Sequence, residues 1–299
     1  MSNVSKIFSR DILENNKDFF KTLVQPDPAF YGKDYSQEIK CISPYEVIDG
    51  VLDTEISYLV NSYGHRSDEF IKTSDYVLYS GCSNTTGMAA PFNVNWAAML
   101  HKKINKDSQF FRLSYCSGGY QKIILNLFKY FNEFGNPKTL FLLLPHTSRE
   151  INFLNDLSIP KHKRKIISSL NMIEIGYPYP WEESEEFNPD LLYLTSVEHH
   201  KKMFIDSYSL LFMLKQYCLS NGINLIYSTW DKYQEDMLLS IPFFDDMINL
   251  YDDKYYKYIY ENKERKDKYL MTARDNEHFG VLDSEHVANK FYERYLDAK

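Results

Sequence analysis

The run Thr139 to Leu144, Thr-Leu-Phe-Leu-Leu-Leu, limits what this chain can fold into more than any other stretch. A strand wetted on one face alternates polar with apolar residues, whereas one that is apolar throughout is covered on both faces, as at the centre of a parallel sheet. Its surroundings repeat the theme. Tyr76 to Tyr79 is a short β-rich run stopped by Ser80-Gly81, and a helix is predicted from about Asn93 to Ile104. Phe110 to Tyr115 reads as a strand, Ser117-Gly118-Gly119 as a turn, and Ile123, Ile124, Leu127, Phe128 and Phe131 share one helix face. Further on, Leu210, Leu211, Leu214 and Cys218 mark a helix ending at Asn221-Gly222, and Ile223 to Ser228 is the next strand. Val287, Phe291 and Tyr295 give a closing helix, with Asp283 as its expected cap. Parallel neighbours need a crossover and the helices supply it, so the alternation predicts an α/β fold with a largely parallel sheet.

Three segments stand outside this rhythm. Residues 1 to about 70 have mixed polarity and prolines at Pro26, Pro28 and Pro44, and read as an N-terminal extension packed on a main domain of 71–299. Insertions are expected at about 150–205, within a charged connection running from Pro145 to about Ser207, and at 231–266, which is acidic and then rich in tyrosine. No internal repeat of fixed period is visible.

Composition excludes several classes. Acidic residues outnumber basic ones, 41 to 34, for a net charge of −7, and the longest basic cluster, Lys161 to Lys165, is short, so nucleic acid is not expected as a partner. No run approaches the roughly 18 apolar residues of a membrane span, and the first residues lack the apolar core of a secretory signal. The expectation is a cytoplasmic protein without a membrane partner. Cys41, Cys82, Cys116 and Cys218 show no CxxC spacing, which suggests neither disulfides nor a zinc ribbon. Neither GxGxxG nor GxxxxGK[ST] follows any strand, which disfavours a nucleotide-binding domain.

Open parallel sheets bind ligands beyond the carboxyl ends of their strands. The loops there carry Gly81-Cys82-Ser83-Asn84-Thr85, Ser117-Gly118-Gly119 and Pro145-His146-Thr147-Ser148-Arg149, and Asp275-Asn276-Glu277-His278 follows near the C-terminus. A serine hydroxyl is a weak nucleophile until an imidazole can take its proton, and the imidazole needs an orienting carboxylate; a loop with Asp-x-x-His can supply both. In this order the blocks resemble the SGNH, or GDSL-like, hydrolase family, particularly its divergent bacteriophage-type members, over roughly 75–299.

The resemblance implies a three-layer α/β/α fold with a central, mainly parallel five-stranded sheet in flavodoxin-like order. It also implies a serine esterase or acyl hydrolase working through an acyl-enzyme on a small-molecule or glycan ester or a lipid ester, with no cofactor and no metal. Ser83 would be the nucleophile, His278 the base and then the acid, and Asp275 its orienting partner. The oxyanion would be met by the amides of Ser83 and of Gly118 or Gly119. The third block departs from the family: the expected Asn is missing, and His146, Thr147 or Ser148 would have to donate in its place, with Arg149 as a further pocket residue. Losing one such donor typically costs about a hundredfold or more in rate.

Plainer readings stand beside each of these. Ser83 serves as a turn or helix-cap residue, Gly118-Gly119 as a tight turn, Asp275 and His278 as a solvated loop or helix cap, and Arg149 as an ion-pair partner of Glu150. Cys82 is an alternative nucleophile or a small buried hydrophobe. His199-His200 have no spaced acidic partner to make a metal site. Tyr63 to Phe70 is either a segment that accompanies phage-type members or a polar loop bracing the sheet. The rival to the hydrolase is a non-catalytic binding or structural protein of the same fold, belonging to a virion or a homo-oligomer.

Overall fold

The computed structural model describes residues 61, 63, 65–105, 108–115, 118–147, 197–273 and 278–298, together with short strand backbones at 47–48, 51–52, 150–153, 165–166 and 172–175. Most of the expected extension and of the 150–205 insertion, with Ser117, Ser148, Arg149 and Asp275, therefore lies outside the described residues.

Four parallel strands form the central sheet: β1 (Val77–Gly81), β2 (Phe111–Ser114), β3 (Thr139–Leu144) and β4 (Asn224–Thr229), in the order β2-β1-β3-β4. That is the flavodoxin-like order as far as it goes, but among the described residues the sheet has four strands rather than the expected five. The place beside β4 is taken by irregular chain. Ile248 gives its N–H to the Tyr227 carbonyl (3.0 Å) and its carbonyl accepts from Ser228 Oγ (2.6 Å), which covers the edge without a ladder.

Helices cover both faces. On one face α3 (Tyr120–Phe134) and α4 (Val197–Ser220) pack against Leu78, Leu113, Leu140, Leu142 and Leu144. On the other, α2 (Trp96–Asn105) and α7 (Val281–Asp297) pack against Tyr79, Phe141, Leu143 and Ile226. Phe291 of α7 stacks on Phe141 (5.9 Å), which stacks on Tyr79 (5.6 Å). Thr139–Leu144 is buried at every position, so the unbroken apolar run has its physical cause in two covered faces. Between these elements lie the four-residue α1 (Ser83–Thr86), α5 (Lys232–Leu239) and α6 (Asp253–Asn262). The last two occupy the region expected as the 231–266 insertion.

Two expectations about helix ends need correcting. α4 starts at Val197, inside the stretch read as connection, and it carries His199 and His200. Asp283 does not cap α7. The N-cap is Gly280, and the first amides, Val281 and Leu282, are met by the carbonyls of Tyr269 (2.8 Å) and Leu270 (3.0 Å). Asp283 instead accepts from the Tyr255 hydroxyl (2.8 Å), and burial raises its pKa from the usual carboxylate value, partly offset by that bond.

The described part of Tyr63 to Phe70 braces the sheet edge. Asp68 accepts from the Phe110 amide (2.8 Å), Ser67 from the Arg112 amide (2.9 Å), and His65 Nδ1 sits 3.1 Å from the Ser114 carbonyl. Side chains thus satisfy backbone groups of β2 that a further strand would otherwise engage.

Candidate active site

Strand register sets the stage. Ser114, Gly81, Leu143 and Ser228 lie in one row across the sheet, so the chains leaving β1 to β4 emerge side by side. The crevice expected in this strand order opens between β1 and β3, where the connections turn to opposite faces. Ser83 lies two residues beyond the row on the β1 side, and His146 three residues beyond it on the β3 side.

Ser83 opens α1, whose turn is closed by Thr85 and Thr86 amides on the Cys82 carbonyl (2.9 and 3.0 Å). The residue is 5% exposed, close to fully buried. Cys82 is fully buried in the core with Leu78 and Phe111, which removes it as a nucleophile and leaves the plainer reading.

His278 is half-buried on a hairpin. Its carbonyl accepts from the Ala273 amide (2.9 Å), and Thr272 bridges Phe279 in antiparallel fashion. Phe279 in turn gives its N–H to Asn84 Oδ1 (3.2 Å). Ser83 and His278 are therefore the immediate chain neighbours of two residues joined by a hydrogen bond. Asp275 lies outside the described residues.

The two glycines of the second loop differ. The Gly118 amide donates to the Tyr115 carbonyl (3.0 Å), which engages it in its own turn, and a Cβ there would stand 2.7 Å from Tyr115 Cβ. Gly118 is thus a packing glycine, as the tight-turn reading has it. Gly119 is the N-cap of α3, with extended backbone, and its amide makes no hydrogen bond among the described residues.

In the third loop His146 Nε2 stands 3.4 Å from Asp231 Oδ2, with the Trp230 ring beside it at 6.4 Å. Asp231 is itself fixed by capping α5, accepting from the Gln234 amide (2.7 Å). Thr147 is buried, and its amide is given to Gln234 Oε1 (3.0 Å), so it is not offered to a ligand. Gln234 Nε2 also lies within bonding distance of the Tyr120 hydroxyl (2.6 Å), Thr229 Oγ1 (2.9 Å) and the Pro145 carbonyl (3.1 Å). One buried amide thus bolts together the loops after β3 and β4 and the start of α3. Replacing it leaves several buried groups unsatisfied, at about 1–3 kcal/mol each. Gln234→Leu should lower stability by about 3 kcal/mol, read from the urea midpoint; an unchanged midpoint would show that the loops hold without it.

Reading the residues alone missed Asn84, Asn95, Arg112 and Gln234. One signal was available. Arg112 sits between Phe111 and Leu113 in a strand that is buried throughout, and it is completely buried, with its guanidinium on the carbonyls of Thr85 (3.1 Å) and Arg66. A charge in such a place requires a built set of acceptors. Among the described residues no group of three His, Cys, Asp or Glu could hold a metal, and no helix is long and apolar enough to cross a membrane. A cavity of about 310 Å³ lies at the opposite, amino end of the sheet, by Asp75, Phe111 and Lys138.

The fold and loops define a doubly wound α/β domain with a serine and a histidine brought to its carboxyl edge. No family model and no curated protein matches the sequence. Among solved structures the chain is similar to a member of the lipolytic protein G-D-S-L family from Veillonella parvula DSM 2008. The identity is 12% and the TM-score 0.39, over 73% of this chain and 96% of that one.

Proposed function

We propose that this chain is a serine hydrolase of SGNH type that cleaves a small-molecule or glycan ester through an acyl-enzyme. The observation that supports the reading is the Asn84–Phe279 hydrogen bond, which joins the residue after Ser83 to the residue after His278 at the carboxyl edge of a parallel sheet. In this reading the Ser83 hydroxyl adds to the ester carbonyl as its proton passes to His278. That proton then goes to the departing alcohol, and water repeats the sequence to release the acid and restore the serine. Asp275, three residues before His278, would hold the imidazole in the productive tautomer. Amides of Ser83 and Gly119 would meet the oxyanion, since Gly118 has its amide engaged in its own turn. His146 at the crevice edge stands where the family's Asn donor is missing.

A second reading is favoured by one observation, the near-complete burial of Ser83. It makes the chain a non-catalytic binding or structural protein that retains the fold.

A fluorophosphonate probe separates the two. Intact mass should show one adduct on the wild-type protein and none on Ser83→Ala. A folded wild-type protein that takes no adduct over hours of incubation would sink the hydrolase reading.

A further inference from the structure

A proton passes between Ser83 and His278 only at hydrogen-bond reach, and the two come from loops far apart in the chain. The hairpin bearing His278 is shaped by its own bonds, Ala273 to His278 and the Thr272–Phe279 bridge, neither of which touches the Ser83 loop. The Asn84 side chain does. Its Oδ1 accepts the Phe279 amide at 3.2 Å. An Asn early in a short helix ordinarily spends its side chain on nearby amides of its own turn, whereas this one reaches across to the other loop.

Asn84 is also held from behind. Its carbonyl accepts from Asn95 Nδ2 (2.8 Å), and Asn95 Oδ1 accepts from the Ala97 amide (3.0 Å) and from Arg112 Nη1 (3.1 Å). The same Arg112 nitrogen bonds the Thr85 carbonyl (3.1 Å). Asn84, Asn95 and Arg112 are all buried, so water competes little for these bonds. A continuous line of hydrogen bonds thus runs from the middle of β2, through Asn95 and Asn84, to the backbone beside His278. Its far end lies on an edge strand that is buried at every position, a firm anchor for the line.

Resting on the serine-hydrolase reading, we propose that Asn84 is the positioning residue that sets His278 against Ser83, with Asn95 and Arg112 fixing its pose. Only the acceptor oxygen of Asn84 is used across the gap, so Asn84→Asp keeps the function and Asn84→Leu, of similar size, removes it. Misplacing a catalytic group by about 1 Å costs about a hundredfold in rate.

The test is the rate of fluorophosphonate adduct formation on the full chain, per folded molecule, for wild type, Asn84→Leu and Asn84→Asp. Hydrogen exchange of the peptide spanning 273–281 is measured alongside. The expected result is a loss of about a hundredfold in Asn84→Leu, a rate within a few-fold of wild type in Asn84→Asp, and faster exchange at 273–281 in the Leu variant alone. Equal rates for wild type and Asn84→Leu would overturn the positioning role and leave the nucleophile standing. If wild type takes no adduct, the hydrolase reading fails by itself, and exchange decides the remainder. Unchanged exchange in Asn84→Leu then overturns the link between the loops, and faster exchange at 273–281 upholds it. Should Asn84→Leu not fold, Asn84→Ala is read in the same way.

Discussion

Gly280→Ala is expected to cost about 3 kcal/mol of stability and most of the reactivity of Ser83 toward a fluorophosphonate. The backbone angles of Gly280, φ −81° and ψ −165°, are open to any residue, so the reason for glycine is space alone. A Cβ there would stand 2.5 Å from the Tyr269 carbonyl oxygen, 2.5 Å from the Met271 carbonyl carbon and 2.6 Å from the Thr272 nitrogen. All three are backbone atoms, and no rotamer change relieves them. The strand of chain at 269–272 must move away, and with it go the carbonyls that cap Val281 and Leu282 and the bridge that shapes the His278 hairpin. Stability and reactivity should therefore fall together, read by the urea midpoint and by adduct formation per folded molecule. A variant that loses stability but labels at the wild-type rate would show that the hairpin is placed by Asn84 without help from the capped helix start.

The frame of this molecule was legible because its cause is periodic. Thr139–Leu144 has both faces covered, so after the opening threonine every residue in it is apolar, and the strand lies where the sequence puts it, residue for residue. The helix faces of α3 and α4 announce themselves for the same reason: Ile123, Ile124, Leu127, Leu211 and Leu214 repeat because the sheet beneath them is continuous. Features held by single contacts left no such trace. The edge of β4 is closed by Ile248 through one backbone bond and one from Ser228, a contact that no hydrophobic pattern encodes, and the fifth strand implied by the family resemblance is absent from the sheet among the described residues. α7 is capped by two carbonyls from residues 269 and 270, so the acid in its first turn, Asp283, looked like a cap and is instead the acceptor of a tyrosine hydroxyl.

The candidate site divides in the same way. Ser83 and His278 stand out in the sequence only as residue types in order, because the chemistry of proton transfer restricts which side chains could serve, and the structure joins the loops that carry them. Gly118 and Gly119 were read as equivalent, yet the close approach of Tyr115 explains the first and a helix start the second. The line from Arg112 through Asn95 to Asn84 joins three unrelated points of the chain by single polar atoms, and only coordinates bring them together. Arg112 alone gave notice of it, by placing a charge where every neighbour on the strand is buried.

Gly81→Ala should be more damaging than the change at Gly280. Gly81 ends β1 at φ +152°, where side-chain-bearing residues are strained, and it leads into the turn that carries Ser83. A Cβ on it would meet Thr85 Oγ1 at 2.2 Å and the Leu143 carbonyl oxygen at 2.5 Å. The first contact is a hydroxyl that can rotate away. The second is backbone of β3, paired to β1 at that very level, and it cannot yield without opening the ladder. Strain of about 1–3 kcal/mol for the dihedral and a similar amount for the overlap give a loss of roughly 4 kcal/mol. Domains of this kind are stable by only about 5–15 kcal/mol. The two contacts can be told apart. If the threonine collision governs, Gly81→Ala combined with Thr85→Ala recovers most of the urea midpoint. If the carbonyl of Leu143 governs, as the geometry requires, the double variant stays within about 1 kcal/mol of the single one. The nucleophile turn is then held to its place by the close approach of two strand ends, a demand that only glycine meets.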